Sequence, residues 1–432
     1  MIFLADLGIG SVIIRDVARD RSLTEKYLVN ALLIKTILAA VTLVATAAVG
    51  HAFNYPTQTM HVVYVIVISL ILSSFASVIS SINQAFEEME YPSLGSILYN
   101  VTMLLCALLA ISLGVDVQGF AYVYLVSSLI LVGYYVIVGR RRIPMPRWQI
   151  DLAFWKYLIN ESMPFGLSSV FIRVYYYIDT VMISLMISNP NEIMGWYNAA
   201  YRLVLILAFI PTTFLSSLYP IMSSYHVTSD KNINFIFERS FKYLLIVAIP
   251  IGIGTTMLAD RIILFIYGAD FANSAIALRI LVWSEVLIFL SVVFGNLLNS
   301  INRQIVVTKQ TMLAAAFNIA LNLVMIPKYS YVGASIATVS TELFAFSFLL
   351  YFVSKEGYKL PRSMMTTFFK ILLACVIMCL FLEIFAKIYL FLLIALASAV
   401  YFILVCLLRI LDNEDMYILK QLLIHVHVYK GE

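Results

Sequence analysis

The chain has 432 residues, of which 62% are hydrophobic and 12% are charged, and its formal net charge is +4. Soluble domains carry about 25% charged residues, so this composition excludes a soluble globular protein and predicts a polytopic helical membrane protein. The modest positive charge gives no indication of a nucleic-acid partner. The histidines and cysteines form no catalytic or metal-binding motif, and no enzymatic activity is predicted.

The first predicted element is an apolar stretch that runs from Met1 to Ile14 and stops at Arg15. It is too short to span a bilayer as a helix, which takes roughly 20 residues. Its basic residues follow the apolar stretch, whereas those of a signal peptide precede it. The stretch therefore predicts a partial transmembrane helix.

Twelve full-length apolar segments follow the partial helix, each long enough for a transmembrane helix. They lie near residues 28–50, 62–84, 95–113, 118–138, 163–187, 197–222, 238–259, 275–298, 308–326, 332–354, 366–386 and 388–409. No loop between them is long enough to hold a catalytic domain.

The distribution of Lys and Arg predicts the orientation of these spans. Of the 28 such residues, five lie within or at the edges of spans, and three lie in loops predicted to be outside: Arg261, Lys328 and Lys387. The other twenty lie in loops that strict alternation places in the cytoplasm. The protein is therefore predicted to be a multi-pass protein of the cytoplasmic membrane, with a cytoplasmic C-terminus.

The chain contains two halves of similar sequence. The segment "SSINQAFEEMEYPSLGSILYNVTMLL" begins at Ser80, and "NSINRQIVVTKQTMLAAAFNIALNLV" begins at Asn299. Both place Ser-Ile-Asn at the predicted cytoplasmic end of a span and an asparagine in the next span. Such a repeat in one orientation is a transporter architecture, and chance similarity between leucine-rich spans is the alternative.

The repeat predicts five regions. They are a first transmembrane lobe (1–138), a cytoplasmic linker with an interfacial helix (139–162), a second transmembrane lobe (163–354), two additional transmembrane helices (355–411) and a cytoplasmic tail (412–432). Compared with the second lobe, the first lacks one span and about half of another. We therefore expect a five-membered first lobe with an open gap, which would reflect a misplaced start or a fragment.

Ionisable side chains within the spans are candidates for function because they are costly in lipid. Asp179, in "VYYYIDTVMISL", is the deepest carboxylate, and a structural pair with an arginine is the alternative role. The basic candidates are Lys35, Arg173, Arg202 and Arg279. Arg202 and Arg279 are candidates to line a cavity, whereas snorkelling towards the membrane surface is the alternative for Lys35 and Arg173.

Three stretches resemble signatures of polysaccharide flippases: "LADLGIGSVIIRDVARD", "GWYNAAYRLV" and "YYYIDTVMI". With the two repeated six-helix lobes and two extra C-terminal spans, they are similar to the Wzx-type oligosaccharide flippases of the multidrug/oligosaccharidyl-lipid/polysaccharide (MOP) superfamily. That superfamily also contains the MATE drug exporters and the lipid II flippase. The resemblance implies an all-α, MATE-like fold with about twelve full transmembrane helices and an N-terminal partial helix.

The activity implied by the resemblance is translocation of a lipid-linked oligosaccharide by alternating access between two lobes. Its polar sugar and phosphate would need a basic path, because Arg and Lys bind phosphate. The candidates for this path are Arg15, Lys35, Arg173, Arg202 and Arg279. Membrane lipids, and glycosyltransferases or a polymerase of the same pathway, are the implied partners. The alternatives are a MATE-like cation-coupled exporter of small amphipathic molecules and a membrane polymerase or ligase, although the latter would need a large outside loop.

The resemblance also implies a coupling-ion site for Na⁺ or H⁺, and no other cofactor. Its residues would be Asp179, Asn318, Asn322, Ala334 through its carbonyl, and Thr338. An all-oxygen set suits a hard cation. Asn322 stands where the lipid II flippase branch has a second carboxylate, which weakens the expectation of Na⁺ coupling. Hydrogen bonding between helices is the alternative role of the two asparagines.

Overall fold

The computed structural model describes residues 7–52, 56–142, 150–188, 190–228, 230–361, 363–412 and 415. These residues form α-helices and two short 3₁₀ turns, with no strand among them. The helices are α1 (Ile9–Arg19), α2 (Thr24–Ala52), α3 (Thr57–Ala85), α4 (Glu90–Ser112), α5 (Val117–Arg142), α6 (Leu152–Met186), α7 (Pro190–Leu207), α8 (Phe209–Thr228), α9 (Asp230–Tyr267), α10 (Ser274–Ser300), α11 (Gln304–Lys355), α12 (Ser363–Ile384) and α13 (Leu390–Leu407). The predicted all-α polytopic fold is confirmed.

The described residues contain 11 stretches of helix that are long and apolar enough to cross a membrane. One of them, α11, holds two predicted spans that meet at Ser330, where φ of 55° and ψ of −137° interrupt the helix. α7 and α8 together form another stretch, interrupted at Ala208. All twelve predicted spans therefore coincide with helices, although α6 begins well before the predicted start at 163 and the span 197–222 is divided between α7 and α8.

The chain forms two compact units. Unit 1 comprises the described residues within 1–176, 212–233 and 295–315, and unit 2 comprises those within 177–211, 234–294 and 316–432. Two segments of the predicted second lobe thus pack with the first 176 residues, and the lobe boundaries remain predictions. Parts of the predicted stub, linker and tail lie outside the described residues, namely 1–6, 143–149, 413–414 and 416–432.

The helix α1 is part of the core of unit 1. The side chains on one of its faces are fully buried: Ile9, Val12, Ile13 and Val17. Their spacing of three or four residues places them in a single stripe along the helix. They pack with side chains of α2, α3 and α6, which include Tyr27, Val78, Ile82 and Leu158. The apolar stretch of the predicted stub is thus a packed helix between other helices.

The interfacial helix predicted in the linker is not a separate element. Its sequence forms the first turns of α6, which continues without a break to Met186. These turns are bound to the rest of unit 1 because Trp155 Nε1 donates to Asn30 Oδ1 at 2.7 Å and the Tyr157 hydroxyl donates to Asp16 at 3.0 Å. Trp155 and Tyr157 therefore hold α6 against α2 and α1.

Asp151 stabilises the start of α6. Its Oδ1 accepts a hydrogen bond from the backbone N–H of Phe154 at 2.9 Å, which satisfies one of the free donors at the helix N-terminus. Its Oδ2 lies 2.8 Å from Lys26 Nζ. The hydrogen bond from Lys26 is the main cause that holds the pKa of Asp151 below its ordinary value.

The two Ser-Ile-Asn segments of the repeat occupy equivalent junctions. Each lies at the C-terminal end of a helix, α3 in the first half and α10 in the second. Positive φ occurs at both junctions, 65° at Glu87, four residues after Asn83, and 63° at Asn302, which is the asparagine of the second segment, and a new helix follows each. Both junctions thus contain a residue with positive φ, but not at the same position of the repeat.

A hydrogen bond from α13 satisfies a backbone carbonyl of α9 that Pro250 leaves without its helical partner. Pro250 lies inside α9 and has no N–H, so the carbonyl of Ile246, four residues earlier, lacks its helical partner. The hydroxyl of Tyr401 is 2.7 Å from this carbonyl oxygen and donates to it. Because Tyr401 is 1% exposed, water cannot replace this donor. One of the additional C-terminal helices therefore supplies the donor that Pro250 removes from α9.

We expect Tyr401→Phe to lower the free energy of unfolding by about 1–3 kcal/mol, because it leaves a buried carbonyl without a donor. In a Pro250→Ala background the same change should cost far less, since the N–H restored at position 250 then donates to Ile246. Denaturation of the four variants in detergent micelles, analysed as a double-mutant cycle, measures this coupling. Equal costs in the two backgrounds would show that the hydroxyl does not act through this carbonyl.

Candidate cation site and membrane-buried charges

Asp179 of α6 lies at the centre of a buried polar cluster in unit 2. Its side chain is 2% exposed. Its Oδ2 accepts hydrogen bonds from the Tyr197 hydroxyl at 2.6 Å and from Thr338 Oγ1 at 2.7 Å. Its Oδ1 accepts a third from Asn322 Nδ2 at 2.6 Å. The carboxylate thus has three donors, one from α7 and one from each of the two arms of α11 on either side of Ser330.

The two arms of α11 place the other predicted residues beside Asp179. Asn318 and Asn322 are one turn apart on the first arm, and Asn322 Nδ2 is 3.0 Å from Asn318 Oδ1. Ala334 and Thr338 are one turn apart on the second arm, and Thr338 Oγ1 is 3.0 Å from the Ala334 carbonyl. The structure therefore brings all five predicted residues together, although their role in binding a cation stays a prediction.

The bend between these arms depends on a close backbone approach. At Gly333 a Cβ atom would lie 2.3 Å from the carbonyl oxygen of Met325, a distance that no side chain tolerates. Only glycine lets the second arm fold back this closely on the first. The bend thus brings Asn322 to Oδ1 and Thr338 to Oδ2 of the Asp179 carboxylate.

The charge of Asp179 has no cationic partner among the described residues. Its hydrogen-bond donors are a phenol, an alcohol and an amide, all neutral, and none of the ion pairs between described residues includes it. Burying an unpaired carboxylate costs several kcal/mol. A proton on Asp179, or a cation bound beside it, would offset this cost.

The atoms around Asp179 fit a small monovalent cation. Asn322 Oδ1 is buried and has no hydrogen-bond partner among the described residues, so one oxygen remains available as a ligand. The amide, hydroxyl and carbonyl oxygens of the cluster are ligands of hard cations. In the described part of the chain no group of three or more His, Cys, Asp or Glu could hold a metal. A single carboxylate balances one positive charge, which fits Na⁺ or H⁺ better than a divalent ion.

Tyr197 is a member of the cluster that the sequence prediction missed. It is fully buried, and its ring stacks on Tyr201 with centroids 5.6 Å apart. The stretch "GWYNAAYRLV", which carried the family resemblance, contains both tyrosines. The signal was therefore present, but only the structure shows that the Tyr197 hydroxyl faces Asp179. We call Asp179, Tyr197, Asn318, Asn322, Ala334 and Thr338 the Asp179 cluster.

Two of the predicted phosphate-binding residues are buried and bonded within unit 1. Arg15 is 1% exposed, and its guanidinium lies 2.7 Å from Asp16 and 2.9 Å from Glu161. Lys35 is fully buried, and its Nζ donates to the Ser74 carbonyl at 2.7 Å and to Ser77 Oγ at 2.9 Å. In this structure both cations are bonded to protein oxygens, although Arg15 Nη1 is buried without a hydrogen-bond partner among the described residues.

The other three predicted basic residues are more accessible. Arg173 of α6 and Arg202 of α7 are exposed. Arg279 of α10 is half-exposed and forms an ion pair with Asp260 of α9. Arg173 belongs to unit 1, whereas Arg202 and Arg279 belong to unit 2. Their roles towards a substrate stay predictions.

Solved structures with this fold are transporters. The lipid II flippase MurJ, in an inward closed conformation, matches with a TM-score of 0.64 at 15% identity, over 94% of this chain and 93% of that chain. An outward-facing multidrug resistance MATE transporter of the MOP superfamily matches with a TM-score of 0.70 at 14% identity, over 82% and 85% of the two chains. The chain therefore has the fold of the MOP superfamily of membrane transporters.

Sequence comparison gives the family. The family model described as polysaccharide biosynthesis protein matches residues 1–226, and the MatE model matches residues 164–324. The probable low-salt glycan biosynthesis flippase Agl15 of Haloferax volcanii is 21% identical over 335 residues, which are 77% of this chain and 69% of that protein. Across the curated relatives, the chain spans between 52% and 69% of their lengths.

The chain belongs to the polysaccharide biosynthesis protein family, because that family's model covers more than half of it. The predicted resemblance to flippases of the MOP superfamily is confirmed by this match together with the fold.

Proposed function

We propose that this protein is a flippase that moves a lipid-linked oligosaccharide, a polyprenyl phosphate or diphosphate sugar, from the cytoplasmic to the outer leaflet of the cell membrane. The observation that carries the proposal is membership of the polysaccharide biosynthesis protein family over residues 1–226. The fold shared with the lipid II flippase supports it. So does the relative that is named as a probable glycan biosynthesis flippase. Such a protein acts by transport rather than by catalysis, and alternates access between two lobes.

The Asp179 cluster is the proposed site for the coupling ion, Na⁺ or H⁺. Its buried carboxylate without a cationic partner supports this role, since occupancy by a proton or cation would change the charge at that depth by one unit. Asp179 of α6 accepts hydrogen bonds from Asn322 and Thr338, one on each arm of α11, so neutralising the carboxylate would change how tightly α6 and both arms of α11 are held. Ion occupancy would thereby favour one arrangement of the lobes.

Arg173 in unit 1 and Arg202 in unit 2 are each proposed, independently of the other, to contact a substrate phosphate. Both lie on apolar helices and both are exposed, which a phosphate ligand requires. Arginine binds phosphate through two parallel hydrogen bonds. Glycosyltransferases or a polymerase of the same pathway would supply and consume the lipid-linked sugar, and the predicted cytoplasmic C-terminus fits loading from the inner leaflet.

A cation-coupled exporter of small amphipathic molecules is the second candidate function. The match of the MatE model to residues 164–324, which include Asp179, Asn318 and Asn322, favours it. The two candidates differ in the charge of their substrates. A cationic drug would require acidic residues on the transport path, whereas a lipid phosphate would require basic ones.

A translocation assay tests the proposal. The full chain would be reconstituted in liposomes that contain a fluorescent short-chain polyprenyl diphosphate oligosaccharide, and a membrane-impermeant quencher would report the fraction in the outer leaflet. We expect faster translocation than in protein-free liposomes, and a roughly tenfold slower rate for Arg202→Ala, because a charge-assisted bond to phosphate is lost.

The matched control is Arg140→Ala, which removes an exposed arginine at the end of α5 and should leave the rate unchanged. If the fluorescent lipid does not move faster than in protein-free liposomes, while ethidium is exported in the same preparation, the flippase proposal is wrong and the exporter is supported.

A further inference from the structure

In unit 1, one carboxylate oxygen joins three helices that are far apart in the sequence. Glu161 Oε2, in the first turns of α6, accepts a hydrogen bond from Arg15 Nη2 of α1 at 2.9 Å and another from Gln304 Nε2, at the start of α11, at 2.8 Å. The sequence separations are 146 and 143 residues. A single side chain thus connects the N-terminal helix to two helices of the second half of the chain.

Arg19, one turn after Arg15, binds the ends of two further segments. Its Nη2 donates to the Ser300 carbonyl at 2.5 Å, and its Nη1 donates to Asn302 Oδ1 at 3.0 Å. Ser300 is the last residue of α10, where backbone carbonyls have no partner in the helix and carry partial negative charge. Arg19 Nε also reaches the Ser223 carbonyl of α8 at 3.4 Å.

All of these segments bind to α1, and we define the α1 clasp as six of the residues that form these hydrogen bonds. The α1 clasp consists of Arg15, Arg19, Glu161, Ser300, Asn302 and Gln304. The segments that bind to α1 are the start of α6, the end of α10 and the start of α11, which the positive-inside distribution predicts to be cytoplasmic ends.

We propose that the α1 clasp is the cytoplasmic gate of the transporter, closed in this structure and opened in each transport cycle. The gate rests on the proposed function, because alternating access requires a contact between the two halves that forms and breaks. The α1 clasp has suitable chemistry. Its bonds are polar and directional, and the Glu161 side chain is 31% exposed, so its hydrogen bonds exchange with water when the helices separate.

The apolar contacts of α1 differ from the clasp in this respect. Ile9, Val12, Ile13 and Val17 pack with side chains of α2, α3 and α6 and have no polar partner to exchange. The α1 face that carries Arg15 and Arg19 instead makes its contacts through charged groups. Opening of the gate therefore separates the end of α10 and the start of α11 from α1 and α6 at their predicted cytoplasmic ends, while the apolar contacts of α1 with α2, α3 and α6 persist.

Cysteine accessibility tests the gate. Ser300 is fully buried, and its role in the α1 clasp is through its carbonyl, so Ser300→Cys preserves the bond to Arg19. In a full chain whose four native cysteines are alanine, a membrane-impermeant maleimide would be added to the cytoplasmic side of inside-out vesicles. We expect slow labelling of the intact clasp, and labelling about tenfold or more faster in Arg19→Gln and in Glu161→Gln, since each loses a charge-assisted hydrogen bond.

Two controls make the result specific. Arg279→Gln, which breaks an ion pair outside the α1 clasp, should leave labelling slow. The double variant Glu161→Gln with Gln304→Glu moves the carboxylate to the other partner of the same hydrogen bond. In this variant, labelling should return towards the slow rate. Labelling in both clasp variants that is as slow as in Arg279→Gln overturns the gate.

A second measurement does not depend on the folding of the clasp variants. It also distinguishes failure of the gate from failure of the proposed substrate. With the intact α1 clasp, adding the short-chain polyprenyl diphosphate oligosaccharide should accelerate labelling of Ser300→Cys. If the clasp variants accelerate labelling and this lipid does not, the gate stands and the proposed substrate fails. If neither the variants nor the lipid changes the rate, the gate fails.

Discussion

Replacing Asp179 with asparagine is expected to abolish the dependence of transport on Na⁺ or H⁺ while the protein stays folded. Asparagine has nearly the same shape, and Thr338 can donate to the Ala334 carbonyl instead, at 3.0 Å. What is lost is the charge that would attract an ion. In the wild-type protein, Na⁺ at about 100 times its dissociation constant should stabilise the fold by about 2.7 kcal/mol, and in Asp179→Asn this stabilisation should disappear.

Thermal unfolding in detergent with and without NaCl, and translocation under a Na⁺ or pH gradient, measure this effect. Glu285→Gln is the matched control, because Glu285 is also a buried carboxylate of unit 2, 1% exposed, but lies on α10 outside the Asp179 cluster. We expect this variant to keep its ion dependence. If Asp179→Asn keeps the ion response and Glu285→Gln loses it, the coupling site is at Glu285 and the assignment to Asp179 is wrong.

Removing the charge of Arg15 is expected to lower the free energy of unfolding by about 3–5 kcal/mol, the range for breaking a buried ion pair. Arg15→Met leaves the carboxylate of Asp16 buried, at 6% exposure, without its closest cation. The hydroxyls of Tyr27 and Tyr157 still donate to Asp16 at 2.5 and 3.0 Å, which places the expected loss at the lower end. Denaturant titration in mixed micelles measures it.

The double change Arg15→Met with Asp16→Asn should recover part of this stability, since it removes the unpaired charge as well as its partner. Arg279→Gln is the control variant, because it breaks an exposed ion pair. Its ion pair with Asp260 is accessible to water, so we expect a loss below about 1 kcal/mol. Losses of equal size at Arg15 and Arg279 would contradict a structural role for the buried network.

The spans could be predicted from the sequence because a bilayer leaves few options. A helix must be long and apolar, and the basic residues must collect on one side, so local composition contains the information. The break at Ala208 and the continuity of α6 through the predicted interfacial helix could not be read in this way. The first turns of α6 are bound to other helices by the hydrogen bonds of Trp155 and Tyr157, which local composition does not reveal.

The Asp179 cluster was predictable in part. The spacing of four residues in Asn318–Asn322 and in Ala334–Thr338 marks one face of each arm of α11, and the family resemblance connects these arms to Asp179. Tyr197 and the α1 clasp were not predictable, because a single sequence does not pair residues such as Arg15 and Glu161, which are 146 positions apart. The basic residues proposed for phosphate were chosen by charge alone, which does not reveal that Arg15 and Lys35 are buried.

The burial of Lys35 has a consequence for how the protein enters the membrane during synthesis. Lys35 lies near the middle of α2, and a lysine at the centre of an inserting helix costs about 2.5–3.5 kcal/mol. Its acceptors, the Ser74 carbonyl and Ser77 Oγ, are both on α3. α2 therefore leaves the translocon for the lipid most readily together with α3, as a helical hairpin, and the ribosome must complete α3 before α2 reaches its final depth.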